Sequence, residues 1–152
     1  MATTTNSLTL TSTDLFDDSL SISNTSTCYK AGTTIGLDQT IGLNKVYLTA
    51  TTQIDLFTVM DAANAAENGK VYIANLSEDE TEFVTIGIGD AVIGKLYAGD
   101  FMWMPYSPRA TFSSDIELTP SVATGMNIEY MVIHNFGAIN PVSIDTRIYA
   151  DE

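Results

Sequence analysis

The sequence predicts an all-β protein, a β-sandwich or jelly-roll-like domain carrying an extended N-terminal arm or edge strands. Three observations predict it. Val46, Leu48, Ala50, Thr52, Ile54 and Leu56 alternate with Lys45, Tyr47, Thr49, Thr51, Gln53 and Asp55. That period of two gives a strand one apolar and one mostly polar face. Short apolar runs then recur at sandwich-like spacing, each closed by turn-forming residues. Finally, charged residues make up only 16% of the chain while hydrophobic ones reach 45%. Ser and Thr supply the missing polarity, and Thr fits a pleated surface better than Lys or Glu.

Taken in order, residues 1–43 read as a Ser/Thr-rich arm or edge strands, and residues 44–152 as the sandwich domain. The first part has short bursts of apolar residues two apart, Leu8 with Leu10 and Leu20 with Ile22, around the turn-like Asp14-Leu15-Phe16-Asp17-Asp18. Gly-centred segments follow at Ala31-Gly32-Thr33-Thr34 and Ile41-Gly42-Leu43. Beyond the Val46–Leu56 alternation, the Ala-rich stretch Met60 to Asn68 allows one helical turn, and Asn68-Gly69 supplies a tight turn. Strand-like runs then cover Lys70 to Leu76, Glu82 to Ile88, Ala91 to Leu96, Phe101 to Pro105, Asn127 to His134 and Val142 to Tyr149. Turns are expected at Ser77 to Glu80, Gly89-Asp90, Gly99-Asp100, Ser107-Pro108, Pro120, Gly125 and Asn140-Pro141. No alternation of strands with helices supports an α/β fold.

The charge balance excludes some partners. The chain of 152 residues carries 19 Asp plus Glu against 6 Lys plus Arg, a formal net charge of −13. Its cations, Lys30, Lys45, Lys70, Lys95, Arg109 and Arg147, are scattered, whereas nucleic-acid binding needs clustered cations to neutralise phosphates. Neither nucleic acid nor an anionic membrane is expected as a partner. The first residues have no basic and apolar succession of the secretory kind, and no apolar run reaches membrane-spanning length.

Candidate chemistry is sparse. His134 is the single histidine and closes an apolar run, so it cannot build the several-histidine metal site of a cupin. Cys28 is the single cysteine and reads as a spare, partly buried thiol. No Gly-x-Ser-x-Gly elbow singles out a serine. Gly87-Ile88-Gly89 lacks the third glycine and the helix of a dinucleotide site, and reads as a bulge or hairpin. The acidic run Glu78-Asp79-Glu80 with Glu82 matches no EF-hand spacing and reads as a solvated tip. Catalytic residues, metals and cofactors are therefore not expected, and the sequons at Asn24 and Asn75 read as chance.

The informative stretch is Phe101-Met102-Trp103-Met104-Pro105-Tyr106. As a strand it places Phe101 and Trp103 on one face and Met102 and Met104 on the other. Two apolar faces suit a central strand covered on both sides, or a subunit interface, where Trp, Tyr and Met are enriched. Phe101, Met102, Trp103, Met104 and Tyr106, with Leu8 and Leu10 of the arm, form the candidate protein interface.

Three segments carry a resemblance: Ile73-Ala74-Asn75-Leu76-Ser77, Val84-Thr85-Ile86-Gly87-Ile88, and Lys95-Leu96-Tyr97-Ala98-Gly99-Asp100-Phe101. Together with the beginning Ser7-Leu8-Thr9-Leu10-Thr11, they resemble small virion structural proteins of tailed bacteriophages, of the marine or cyanobacterial type. The resemblance implies a capsid decoration (cement) protein on the capsid exterior, made in the host cytoplasm, or else a tail, connector or fibre component in attachment or glycan binding. The partners it implies are the major capsid protein or other virion proteins, with the chain itself a homo-oligomer. In the glycan-binding alternative, Trp103 and Tyr106 would line an exposed groove.

Overall fold

A computed structural model describes residues 3–15, 18–59, 68–89, 91–106, 116–123, 125–135 and 139–141, and every regular element among them is a strand. In chain order these are β1 (Thr5–Ser12), β2 (Leu20–Thr27), β3 (Gln39–Thr40), β4 (Asn44–Leu48), β5 (Ile54–Asp55) and β6 (Phe57–Val59). They continue as β7 (Gly69–Asn75), β8 (Phe83–Ile88), β9 (Ala91–Tyr97), β10 (Phe101–Pro105), β11 (Ile116–Pro120), β12 (Met126–His134) and β13 (Ile139–Pro141). The all-β expectation holds.

Two antiparallel sheets face each other across one core. The first runs β10-β7-β12, with β4 and then β3 on the far side of β12; the second runs β5-β11-β8-β9. Most successive strands cross between the layers, so that β4 leads into β5, β7 into β8, β9 into β10, β10 into β11 and β11 into β12, while β8 and β9 stay in one layer. Alternate residues point inward, as a period of two requires. Val71 and Ile73 of the first sheet, with Ile128, Tyr130 and Val132, meet Val84 and Ile86 of the second, with Ile116 and Leu118, all 1% exposed or less. A smaller cluster lies on the other side of the first sheet. There Cys28 and Leu37 cover Ile133, with Trp103 and Met131 packed against them.

Several expectations are corrected. The alternation from Val46 to Leu56 is not one strand. It breaks after Leu48, and Ile54 resumes in the opposite sheet, pairing with Leu118. The break falls on Thr49-Ala50-Thr51-Thr52-Gln53, which has no bulky side chain to bury, so the chain turns the corner of the sandwich there. Asn68-Gly69 is no turn: Gly69 opens β7 opposite His134. Pro120 ends a buried strand, β11, opposite Val84. Its missing N–H costs no pairing, because β5 reaches only Glu117 and Leu118 on the other side. Asn140-Pro141 lies in β13, paired with β6. The stretches Met60 to Glu67, Ser107-Pro108 and Val142 to Tyr149 lie outside the described residues.

Other turns form as expected. Gly32, Gly42, Gly89, Gly99 and Gly125 all have positive φ. The glycine-rich run yields a bulge, since the β8–β9 register shifts between Ile86 and Gly87. One buried polar side chain secures the turn between β9 and β10. Asn75, with no exposed surface, donates from Nδ2 to the Leu96 carbonyl at 3.0 Å, and its Oδ1 accepts the Ser77 amide at 3.0 Å. Its backbone N–H reaches the Asp100 carbonyl and its carbonyl accepts the Gly99 N–H, each at 2.9 Å. An asparagine with both amide atoms so engaged is not open to glycosylation in the folded chain.

Candidate functional site

The two apolar bursts of the arm pair with each other. β1 and β2 form an antiparallel hairpin in register from Thr5 opposite Thr27 to Ser12 opposite Leu20, and among the described residues these two strands constitute a sheet of their own. Its two faces differ sharply. Thr5, Ser7, Thr9 and Thr11 with Ser21, Ser23, Thr25 and Thr27 make one face wholly of hydroxyl side chains, with Ser7 and Thr25 hydrogen-bonded across the strands at 3.0 Å. The other face holds Leu8, Leu10, Leu20 and Ile22 at its centre, with Asn24 opposite Leu8, Ser12 opposite Leu20, and Asn6 receiving a hydrogen bond from Ser26 at 2.8 Å.

That apolar face is left open to solvent: Leu8 is 50% exposed, Leu10 47% and Ile22 45%. A two-stranded hairpin alone is marginally stable in water. This one is anchored at its base, where the Cys28 N–H meets the Thr4 carbonyl at 2.9 Å and Asn6 donates to the Cys28 sulfur at 3.8 Å. The Cys28 thiol is buried there, 1% exposed.

At the far end Ser12 Oγ accepts the Leu15 amide at 3.0 Å and donates to Asp14 at 3.2 Å. The tip therefore presents Asp14 and Asp18, both exposed, and Leu15, 65% exposed.

The second half of the candidate interface is divided by the fold. Among the described residues β10 is the edge of its sheet, paired with β7 alone, which corrects the central position expected for it. Met104 is buried in the core and Met102 packs beside it. Trp103, on the opposite face, is partly buried beneath the segment that carries Cys28 and Leu37. Tyr106 is 4% exposed, its ring edge-on to Phe57 at 5.4 Å, so no exposed groove joins it to Trp103. Phe101 alone projects, 66% exposed, tilted against Tyr72. The neighbouring edge strand β9 adds Val92, 72% exposed, and Ile93, 49% exposed.

An open groove of about 770 Å³ lies at the hairpin base. Its lining includes Tyr29, Lys30, Thr33, Ile35, Asn68 and Lys70. The wall is firm. The Thr33 N–H bonds the Lys30 carbonyl at 3.1 Å across a turn with Gly32 at φ 70°, and the Lys30 N–H bonds the Ile35 carbonyl at 2.8 Å. Positive φ at the third residue, after a residue of negative φ, is the type II turn that favours glycine. Lys30 is paired with Asp38 at 2.8 Å, and this hydrogen bond holds the Asp38 carboxyl below its ordinary value. Nothing in the residue pattern points to this groove, because Lys30 and Lys70 are brought together only by the fold.

The remaining candidates take structural positions. His134 ends β12, 2% exposed; burial lowers its pKa, opposed by the Asp38 charge. Asp79 accepts hydrogen bonds from the Thr81 hydroxyl at 2.7 Å and amide at 2.9 Å, which lower its pKa and fold the acidic tip onto itself. Among the described residues, no three His, Cys, Asp or Glu side chains are placed to hold one metal ion. No protein-family model matches the sequence, and no curated protein matches it significantly.

Proposed function

We propose that the protein is a virion structural component of a tailed bacteriophage, a capsid decoration (cement) protein that binds across neighbouring capsid subunits on the outside of the shell. The observation that carries this reading is the hairpin. It sets an apolar face and free backbone edges apart from a body whose own core is complete. A monomeric protein gains nothing from holding such a face in water, whereas a binding protein uses it for side-chain burial and strand addition.

The body supports the same reading. Eight of its strands, four to a layer with consecutive strands changing layer except at the β8–β9 hairpin, follow the order we read as a jelly roll, an architecture frequent in viral capsid domains. Strong acidity suits the outer surface of a particle packed with DNA, since the packaged DNA would repel it on the inside. The resemblance of the β7, β8 and β9–β10 segments to small phage virion proteins points the same way.

Cementing follows from mass action. A protein that binds only the assembled lattice stabilises it by RT ln(1 + [L]/Kd) at each site, about 2.7 kcal/mol when free protein is at 100 times Kd. The effect accumulates over repeated sites. The test compares thermal release of packaged DNA from particles with and without the protein. Release at a lower temperature without it is the expected result. Identical release curves, with normal capsids and lost adsorption to cells, would instead assign it to the tail.

A further inference from the structure

We infer that the free protein forms a two-fold dimer in which two β1–β2 hairpins lie antiparallel, apolar face to apolar face, each acidic tip seated in the Lys70 groove at the base of the other. This does not rest on the capsid role. The dimer covers the face that the capsid reading leaves for the lattice, so it belongs to the free protein and must open on binding; it is read on the purified protein, the capsid role on particles, so either can fail alone.

The argument for a second copy as the occupant begins with charge. A chain at −13 repels its own copies, so self-association must use surfaces free of carboxylates. The strands β1 and β2 hold no ionisable side chain at all. Carboxylates return at the tip, with Asp14 and Asp18, and there the chain offers a complement. Two of its six cations, Lys30 and Lys70, line the groove at the hairpin base. Lys30 is already paired with Asp38, and Lys70 makes no ion pair among the described residues. Beside it stand Tyr29, 40% exposed, and Ile35, 46% exposed, an apolar seat for Leu15.

Symmetry supplies the register. Tip and base are the two ends of one element, about 26 Å apart for eight residues at roughly 3.3 Å each. A two-fold axis through the middle of an antiparallel hairpin pair therefore puts each tip at the other copy's base, and both contacts form together. Leu10 and its cross-strand partner Ile22 lie near that axis, with Leu8 and Leu20 flanking them.

Area shows that both contacts are needed. Two strands about 4.8 Å apart and roughly 26 Å long present a face of about 250 Å². A standard stable interface uses roughly 800 Å² per partner. The hairpin face alone falls well short, and the groove supplies further burial at each end. The dimer is accordingly concentration-dependent, weakened by salt at its ends and by polar substitution at its centre.

Sedimentation velocity over a concentration series, with circular dichroism on each variant, tests this. Wild type should pass from monomer to dimer, and Leu10→Ser should raise the dissociation constant at least about tenfold. Asp14→Lys and Lys70→Glu should each weaken the dimer about tenfold. The two together should return it to within about threefold of wild type, because the ion pair is restored with its sign reversed. Should Lys70→Glu not fold, Asp14→Lys with Asp18→Lys and a salt titration carry the same test. A wild type that stays monomeric at every concentration, a dimer indifferent to these substitutions, or a charge reversal that fails to recover would each overturn the inference.

Discussion

Replacing Asn75 by alanine tests how the β9–β10 turn is held to the sheet. The substitution removes a donor from the Leu96 carbonyl and an acceptor from the Ser77 amide, both at 3.0 Å, at a position with no solvent exposure. Each hydrogen bond contributes about 1 kcal/mol net, and a buried group left without its partner costs a further ~1–3 kcal/mol. The expected loss is therefore about 3–5 kcal/mol, or roughly 6–20 °C in Tm for a chain of this size. Denaturant unfolding followed by circular dichroism measures it. Asn75→Asp adds a sharper arm. It keeps an acceptor for Ser77 but turns a carboxylate oxygen toward the Leu96 carbonyl, with a charge in a dry site. Burial should raise the pKa of that carboxyl in the folded state above its unfolded value. The folded state then binds the proton more readily, and the deficit should shrink as pH falls through the raised pKa. A loss below about 0.5 kcal/mol for Asn75→Ala, or an Asn75→Asp deficit indifferent to pH, would refute the reasoning.

Gly125→Ala should destabilise by about 1–3 kcal/mol, because Gly125 sits at φ 108° and an added Cβ would collide with the Tyr47 hydroxyl. Adding Tyr47→Ala should recover only the steric part, and full recovery in thermal melts would show that the backbone angle costs nothing. The pKa of His134 is lowered below 6.5 by burial, so the unfolded chain takes up that proton first. Stability should decline as pH falls from about 6.5 toward the depressed value, and His134→Gln should flatten that part of the profile. The contributions of Asp38 and Asp79, both lowered from 3.8, persist above that value and disappear as pH falls through their folded pKa values. In hydrogen exchange of dilute protein, β1 and β2 should exchange well ahead of β7 and β12. Equal protection would mean that the hairpin is stable alone.

Much of the fold was legible because buried strands impose a period of two. The run Phe101 to Pro105 coincides with β10 to the residue. Its place at the edge was not legible, because apolar residues on both faces describe what covers a strand above and below and say nothing of what lies beside it. β11 was hidden by Pro120, which reads as a breaker although Ile116, Leu118 and Pro120 alternate as buried positions. The Val46–Leu56 alternation misled for the opposite reason. Small Ala and Thr side chains keep the phase of a strand without the bulk that would bury it. For the interaction surface, the bursts at Leu8–Leu10 and Leu20–Ile22 were visible as strands. Their mutual pairing was not, because the period is the same whether a strand pairs with its neighbour or with another chain. Tyr106 looked like an exposed aromatic, and the partner that buries it, Phe57, is distant in sequence.

The crossing of most consecutive strands between layers also governs how the chain reaches its native state. Nearly every ladder of the body joins distant residues, as where Lys45 faces Glu129 and Gly69 faces His134. Such non-local closure is slow, on the order of milliseconds to seconds, whereas a local hairpin closes in about 1–10 μs. The N-terminal ribbon, marginal by itself, should thus form and open repeatedly, with its leucines uncovered, while the body is still unformed. During that interval the chain is most prone to clump with its copies. The surplus of carboxylates on the body, useless for holding the ribbon in place, keeps nascent molecules apart until the sandwich has closed.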